Sequence, residues 1–134
     1  MIRVRKEKIR AVMRMMRDHT GTQCKGIIDI VGIEREGGVG IVYIIITYRK
    51  GRRYRIRVDG VEEGIETITR EYKGGEWLER EVYDMFGVEF RGHRDMRRIL
   101  TDYGAEGNPM RKEYPLMGYE ELYYSEEEKR LKWR

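Results

Sequence analysis

Apolar and polar positions alternate with two different periods along this chain. Ile9, Val12, Met13 and Met16 fall at i, i+3, i+4 and i+7, while Arg10, Arg14 and Arg17 take the other face. That spacing predicts an amphipathic first helix of about four turns within Ile2–Arg17, stopped by Gly21. The period then drops to two. Ile27–Ile33 and Ile41–Tyr48 are rich in β-branched residues and are separated by the turn Glu34–Gly38. Lys50-Gly51 leads into Arg52–Val58, where Tyr54, Ile56 and Val58 alternate with Arg53, Arg55 and Arg57. These runs predict an antiparallel meander with a basic outer row on its third strand, an edge guarded by charge.

Residues 60–75 are transitional, with Ile65 and Ile68 suited to a short helix before Gly74-Gly75 breaks the chain. Trp77–Phe86 then returns to a helical period, with Leu78, Val82 and Met85 as its stripe and Gly87 placed to cap it. Glu79, Arg80, Glu81 and Asp84 sit off that stripe, and Arg80 and Asp84 are spaced to pair. Val88–Gly118 has no sustained period and carries Gly92, Gly104, Gly107, Gly118, Pro109 and Pro115. Irregular chain of this length is unusual inside a small domain. Its content of Phe90, Ile99, Leu100, Tyr103, Tyr114, Leu116 and Tyr119 is too apolar for a free linker. It is expected to lie along a partner, followed by a mixed charged and aromatic end, Glu120–Arg134. The expected fold is α+β: a two-layer, mixed but mostly antiparallel sheet, helices on one face, and a long irregular tail. Residues 1–90 form the core domain and 91–134 an extended docking tail.

Charge changes this picture more than size does. The chain has 134 residues, 39% of them charged, with a net charge of +4. Residues 1–60 hold 15 Lys/Arg against 6 Asp/Glu, and the remainder 13 against 18. The basic half, with Arg49 and Arg52 beside the third strand, opens a nucleic-acid reading. The other reading is a two-sided domain docked between charged neighbours. The basic first helix likewise suits a membrane surface or ordinary packing on a sheet. Cys24, the one cysteine, reads as a small buried hydrophobe and cannot form an internal disulfide. One Cys and the separated His19 and His93 are not the ligand set of a cluster or a metal site. No run approaches the ~18 apolar residues of a membrane-spanning helix. There is no phosphate loop, dinucleotide fingerprint or serine elbow, and Glu79 and Glu81 lie on different faces of one helix.

The stretch Trp77–Leu116 carries a recognisable pattern. Its pieces are Glu79-Arg80-Glu81 with Asp84 and Gly87, then Gly92-His93, Arg97-Arg98-Ile99-Leu100 and Thr101-Asp102-Tyr103-Gly104. Gly107, Pro109, Arg111-Lys112 and Tyr114-Pro115-Leu116 complete it. This strongly resembles the subunit 9 family of NADH dehydrogenase, respiratory complex I, together with its bacterial counterparts. Arg94 stands where that family usually has Pro, Ala105 where an aromatic is common, and Asn108 where His is frequent. The resemblance implies a non-catalytic subunit of the hydrophilic arm of NADH:ubiquinone oxidoreductase. It implies no flavin, cluster, quinone or other cofactor in this chain. Its implied partners are the subunits that bear the terminal cluster and shape the quinone site, with no nucleic acid and no membrane span of its own. The implied location is the matrix side of the mitochondrial inner membrane, or the cytoplasmic face of a bacterial one. The signature residues named above are then expected at subunit interfaces. Glu79, Glu81 and Asp84 would supply carboxylates near Arg97, Arg98 and Arg111, and Arg111 is expected to meet a carboxylate of a partner or of the Glu79–Asp84 helix end.

Overall fold

A ten-residue strand with almost no polar side chains, Gly38–Thr47, lies second from one edge of the main sheet. The computed structural model describes residues 1–133; Arg134, the end of the expected tail, lies outside the described residues. The elements are β1 (Ile2–Arg3), a 3₁₀ turn (Lys6–Lys8), α1 (Ile9–Asp18), β2 (Gly26–Arg35), β3 (Gly38–Thr47) and β4 (Arg52–Asp59). There follow β5 (Ile65–Glu66), α2 (Gly75–Phe86), β6 (Phe90–Arg91), β7 (Leu122–Ser125) and β8 (Arg130–Trp133). The sheet order is β1-β4-β3-β2, with β2, β3 and β4 antiparallel and β1 parallel to β4. The class is therefore α+β with a mixed sheet, as the two periods predicted.

The meander's alternation decides which residues meet the helices. Ile30 of β2, Val39, Ile41, Tyr43 and Ile45 of β3, and Ile56 and Val58 of β4 are buried in one cluster. Ile9, Met13 and Met16 of α1 and Val82 of α2 join the same cluster, so both helices cover the same face. Cys24 is buried there too. This packing accounts for the stripe of α1 and excludes its use as a membrane-surface helix. Gly32 on β2 sits directly beneath α2, where a Cβ would lie 2.3 Å from a ring carbon of Phe86. A side chain there must push the helix or the ring aside. Gly32→Ala is expected to cost ~1–3 kcal/mol and to lower Tm by roughly 3–10 °C, read by calorimetry.

Several sequence expectations change. The first helix is shorter than predicted, because Ile2–Arg3 is extended and pairs with Ile56–Arg57. β4 is consequently not an edge strand. Its Arg57 is buried and held by Asp59 at 2.6 Å, so the basic row is interrupted. On the polar face of α1, Arg10 and Arg14 reach Glu71 at 3.2 and 3.5 Å, Arg14 while still mostly exposed, and Arg17 donates to the Glu71 carbonyl at 3.1 Å. Ile65 and Ile68 do not make a helix. Ile65-Glu66 pairs in parallel with Phe90-Arg91, which brings the chain after α2 back under the domain. Residues 92–121 contain no helix or strand. The end of the chain forms a hairpin, with Leu122 opposite Trp133 and Tyr124 opposite Leu131.

Candidate functional site

α2 ends at Gly87 in the left-handed conformation (φ 75°), whose N–H donates to the Tyr83 carbonyl at 2.8 Å. A helix end leaves carbonyls without partners inside the helix. Here the following loop supplies them. The Asn108 amide donates to the Asp84 carbonyl at 2.9 Å and the Tyr83 carbonyl at 3.3 Å. The Met110 N–H donates to the Met85 carbonyl at 3.0 Å. A Cβ at Gly87 would lie 2.6 Å from the Asn108 side-chain oxygen, so the position requires glycine on two counts.

The Asp84 carboxylate is the centre of this clasp. Its Oδ2 accepts the backbone N–H groups of Ile99, Leu100 and Thr101 at 3.1, 2.7 and 2.9 Å. Its Oδ1 accepts the Thr101 hydroxyl at 2.5 Å and Arg98 Nη1 at 2.9 Å. Burial alone would raise this carboxyl, but the bonds from Thr101, Leu100 and Ile99 outweigh it and hold it at about 2. Arg98 also donates to the Gly107 carbonyl at 2.9 Å. Arg80 donates to the carbonyls of Arg97 and Arg98 at 2.9 and 3.0 Å. Arg80 therefore does not pair with Asp84. Its backbone contacts tie the same loop to the helix from the other side.

Glu79 occupies a second buried position on α2. Its Oε1 accepts the Ile68 N–H at 2.8 Å and its Oε2 the Thr67 hydroxyl at 2.6 Å. His93 Nε2 stands 3.9 Å from Oε2, and both side chains are fully buried. His93 Nδ1 accepts the Asp95 N–H at 3.1 Å, which leaves Nε2 to donate to the Glu76 carbonyl at 3.0 Å. Burial raises the Glu79 carboxyl to about 7, against the lowering effect of Thr67 and Ile68. Glu79 and Asp84 are thus not off the buried face of α2, as the helical stripe predicted. Both are inside, each satisfied by backbone donors that the stripe does not encode.

The remaining signature residues separate into two groups. Gly92, in the left-handed region at φ 85°, sits over Thr67 beside the Glu79 cluster. Arg97 pairs with Asp95 at 2.6 Å, and its guanidinium stands 5.8 Å from the centre of the exposed Tyr103 ring. Arg111 meets Glu34 of β2 at 3.4 Å and Glu113 at 3.6 Å, not the Glu79–Asp84 helix end. The Lys112 N–H donates to the other Glu34 oxygen at 2.6 Å. Glu81, Asp102, Gly104, Pro109 and Pro115 are exposed. Glu81 borders a groove of about 260 Å³ between β2 and α2, whose walls include Val82, Phe86, Leu100 and Met110. Thr101, Glu34 and Glu71 carry contacts that sequence reasoning missed. Each meets its partner across 17 to 78 residues of sequence, a separation that leaves no local signal.

These arrangements hold the chain together; they do not gather an exposed nucleophile, base and electrophile. Among the described residues, no group of three or more His, Cys, Asp and Glu is placed to hold a metal ion, and no helix is long and apolar enough to cross a membrane.

What the fold and clasp define is an α+β domain with a long segment folded back on its second helix. Residues 2–120 match the family model described as "Respiratory-chain NADH dehydrogenase, 30 Kd subunit", and the chain belongs to that family. It is 42% identical over 129 residues to an NADH-quinone oxidoreductase subunit of Agrobacterium fabrum, covering 93% of this chain and 64% of that protein. It is 42% identical over 127 residues to a probable mitochondrial NADH-ubiquinone oxidoreductase 30.4 kDa subunit of Candida maltosa, covering 92% of this chain and 46% of that one. The chain thus spans about half to two thirds of the length of these relatives. The solved structure of a trypsin-resistant fragment of Nqo5 is similar, with TM-score 0.58 and 26% identity over 69% of this chain and 79% of that one.

Proposed function

We propose that this chain is a non-catalytic subunit of the hydrophilic arm of proton-pumping NADH:ubiquinone oxidoreductase. It scaffolds the subunits that carry the terminal iron–sulfur cluster and form the quinone site, and holds no redox cofactor itself. It works at the matrix face of the mitochondrial inner membrane, or the cytoplasmic face of a bacterial membrane. Membership of the 30 kDa subunit family supports this. The observation that carries it is the end of the chain. Leu122, Tyr124, Leu131 and Trp133 share one face of the β7–β8 hairpin and are 47–62% exposed. Leu116 and Met117 before it are exposed as well. An isolated two-stranded hairpin is marginal in water, and contiguous exposed apolar surface marks an interaction site. A protein surface that covers this face supplies what the domain does not.

The test is whether the chain migrates with a very large membrane complex in mild detergent, and whether Leu131→Ser with Trp133→Ser removes it. Loss of co-migration is expected, with the NADH–quinone activity of the membranes falling in step. Arg130→Ala is the control. Arg130 pairs with Glu128 in the open, and exposed pairs contribute ~0–1 kcal/mol, so assembly should persist. Migration of the unaltered chain as a small soluble species would refute the proposal. The nucleic-acid reading has no support among the relatives, and the broken basic row weakens its physical basis.

A further inference from the structure

Among the described residues, no helix packs on the face of the sheet opposite α1 and α2. Strand alternation sends Val31 and Ile33 of β2 and Val42, Ile44 and Ile46 of β3 to that side. All five are outside the cluster that α1 and α2 bury. They form an aliphatic stripe across two neighbouring strands. Beside it on β4 stand Arg53 and Arg55, opposite Ile46 and Ile44 in register. Arg3 of β1, opposite Arg57, extends the basic row. Arg57 is engaged by Asp59. Arg3, Arg53 and Arg55 are exposed and make no ion pair among the described residues. The carboxylate of Asp29, on the β2 side, already accepts the Ile30 N–H at 2.8 Å.

We propose that this face seats an amphipathic helix of a neighbouring protein, whose aliphatic ridge lies along the Val42–Ile46 stripe and whose carboxylates flank Arg53, Arg55 and Arg3. The proposal rests on the reading of the chain as a subunit of a larger assembly. Three arguments select this occupant. A two-layer domain often leaves its outer sheet face in water, but an aliphatic stripe on that face, with Val31 39% exposed, marks an interaction site that a helix covers most simply. Strands lie ~4.8 Å apart and a helix is ~10 Å across, so a helix over β3 places its flank above β4. The unpaired arginines demand carboxylates along that flank and not the other. A second copy of this chain would bring two arginine rows together and offers few carboxylates on the same face. A flat bilayer would touch Val31, 39% exposed, but not Val42 at the middle of the stripe, which is only 7% exposed. A protruding helical ridge reaches it.

The experiment places a photo-crosslinking residue at Ile44 in the intact assembly and sequences the captured peptide. The expected peptide has aliphatic residues at helical spacing with Asp or Glu along one flank. Arg53→Glu with Arg55→Glu should reduce its yield about tenfold, equivalent to ~1.4 kcal/mol, whereas Arg53→Lys with Arg55→Lys should retain most of it. Raising salt on the unaltered assembly from about 50 to 300 mM should also lower the yield, since exposed pairs are screened. This arm stands even if the charge-reversed chain misfolds. Capture of lipid, RNA, a second copy or a segment without carboxylates overturns the proposal, as does an unlabelled face. Native-gel migration separates this from the parent reading. A chain inside the large complex with an unlabelled Ile44 overturns only the helix. A chain outside it that still captures an acidic helix overturns only the parent reading.

Discussion

Asp84→Ala is expected to destabilise the domain by ~3–5 kcal/mol, the range measured when one partner of a buried ion pair is removed. Three backbone N–H groups, the Thr101 hydroxyl and the Arg98 guanidinium all converge on that carboxylate. Removing it leaves every one of them short of a partner at a buried site. The loss is a large share of the ~5–15 kcal/mol that holds a typical domain folded. In a domain of this size it should lower Tm by roughly 10–20 °C. Asp84→Asn keeps the shape and one oxygen acceptor but turns an amide toward the donors, so it should fall between wild type and Asp84→Ala. Asp102→Ala, at an exposed position of the same loop, should change stability by no more than ~0.5 kcal/mol. Hydrogen exchange adds a local readout. Ile99, Leu100 and Thr101 should lose their protection in Asp84→Ala before the sheet does. Equal melting of Asp84→Ala and Asp102→Ala would mean that the clasp contributes nothing.

This clasp revises the expectation that residues 88–119 depend on a partner for order. The first part of that segment is anchored by its own domain, through Asp84, Arg80, Asn108 and the Met110 N–H. The second part, from Leu116 through the hairpin, presents its apolar side chains outward. The outward-facing apolar side chains therefore run from Leu116 to Trp133, a little under half of the expected tail.

Strands β3 and β4 were legible because hydrophobic alternation is local and the buried face is set by it. So was α2, whose stripe and glycine cap lie within one window. The hairpin at the end was not, although Leu122/Tyr124 and Leu131/Trp133 do alternate. Its turn, Glu126–Lys129, carries none of the Asn-Gly or Asp-Gly signals, and Lys129 itself takes φ 50°. β1 is two residues long and exists only because Ile56-Arg57 lies beside it. For the site, the signature residues mark where the polar contacts concentrate but not how they pair. Helical spacing matches Asp84 with Arg80, and tertiary donors displace that pairing. Arg111 is matched with α2 in sequence, and Glu34 proves nearer. Glu79 reads as exposed because a glutamate on a helix usually is, and only the fold shows the Thr67–Ile68 turn presenting donors to it.

Glu79 carries the largest expected pH effect, opposite in sign to that of Asp84. Burial raises its carboxyl from 4.5 to about 7, so the folded state prefers the neutral form. A group raised on folding contributes stability that is complete below its unfolded value and is lost as pH climbs through its folded value. The window is therefore about pH 4.5 to 7, and at 1.36 kcal/mol per pH unit the loss is about 3 kcal/mol. Asp84, lowered from 3.8 to about 2, contributes above 3.8 and loses that contribution as pH falls through about 2, outside this window. The groups around Glu79 are the Thr67 hydroxyl, the Ile68 N–H, the buried His93 ring and the more distant Glu71 charge. The Tyr43 hydroxyl, buried without a hydrogen-bond partner, is raised further by the Glu79 charge. Glu79→Gln keeps the acceptor for Ile68 and a polar contact for Thr67 but does not titrate. Its stability minus that of wild type should therefore rise by about 3 kcal/mol between pH 4.5 and pH 8, measured by urea unfolding at fixed ionic strength. A fall with rising pH, confined to below about pH 4.5, would assign the effect to a carboxyl lowered on folding. A flat difference curve would mean that Glu79 titrates alike in the folded and unfolded chain, the donors of Thr67 and Ile68 balancing its burial.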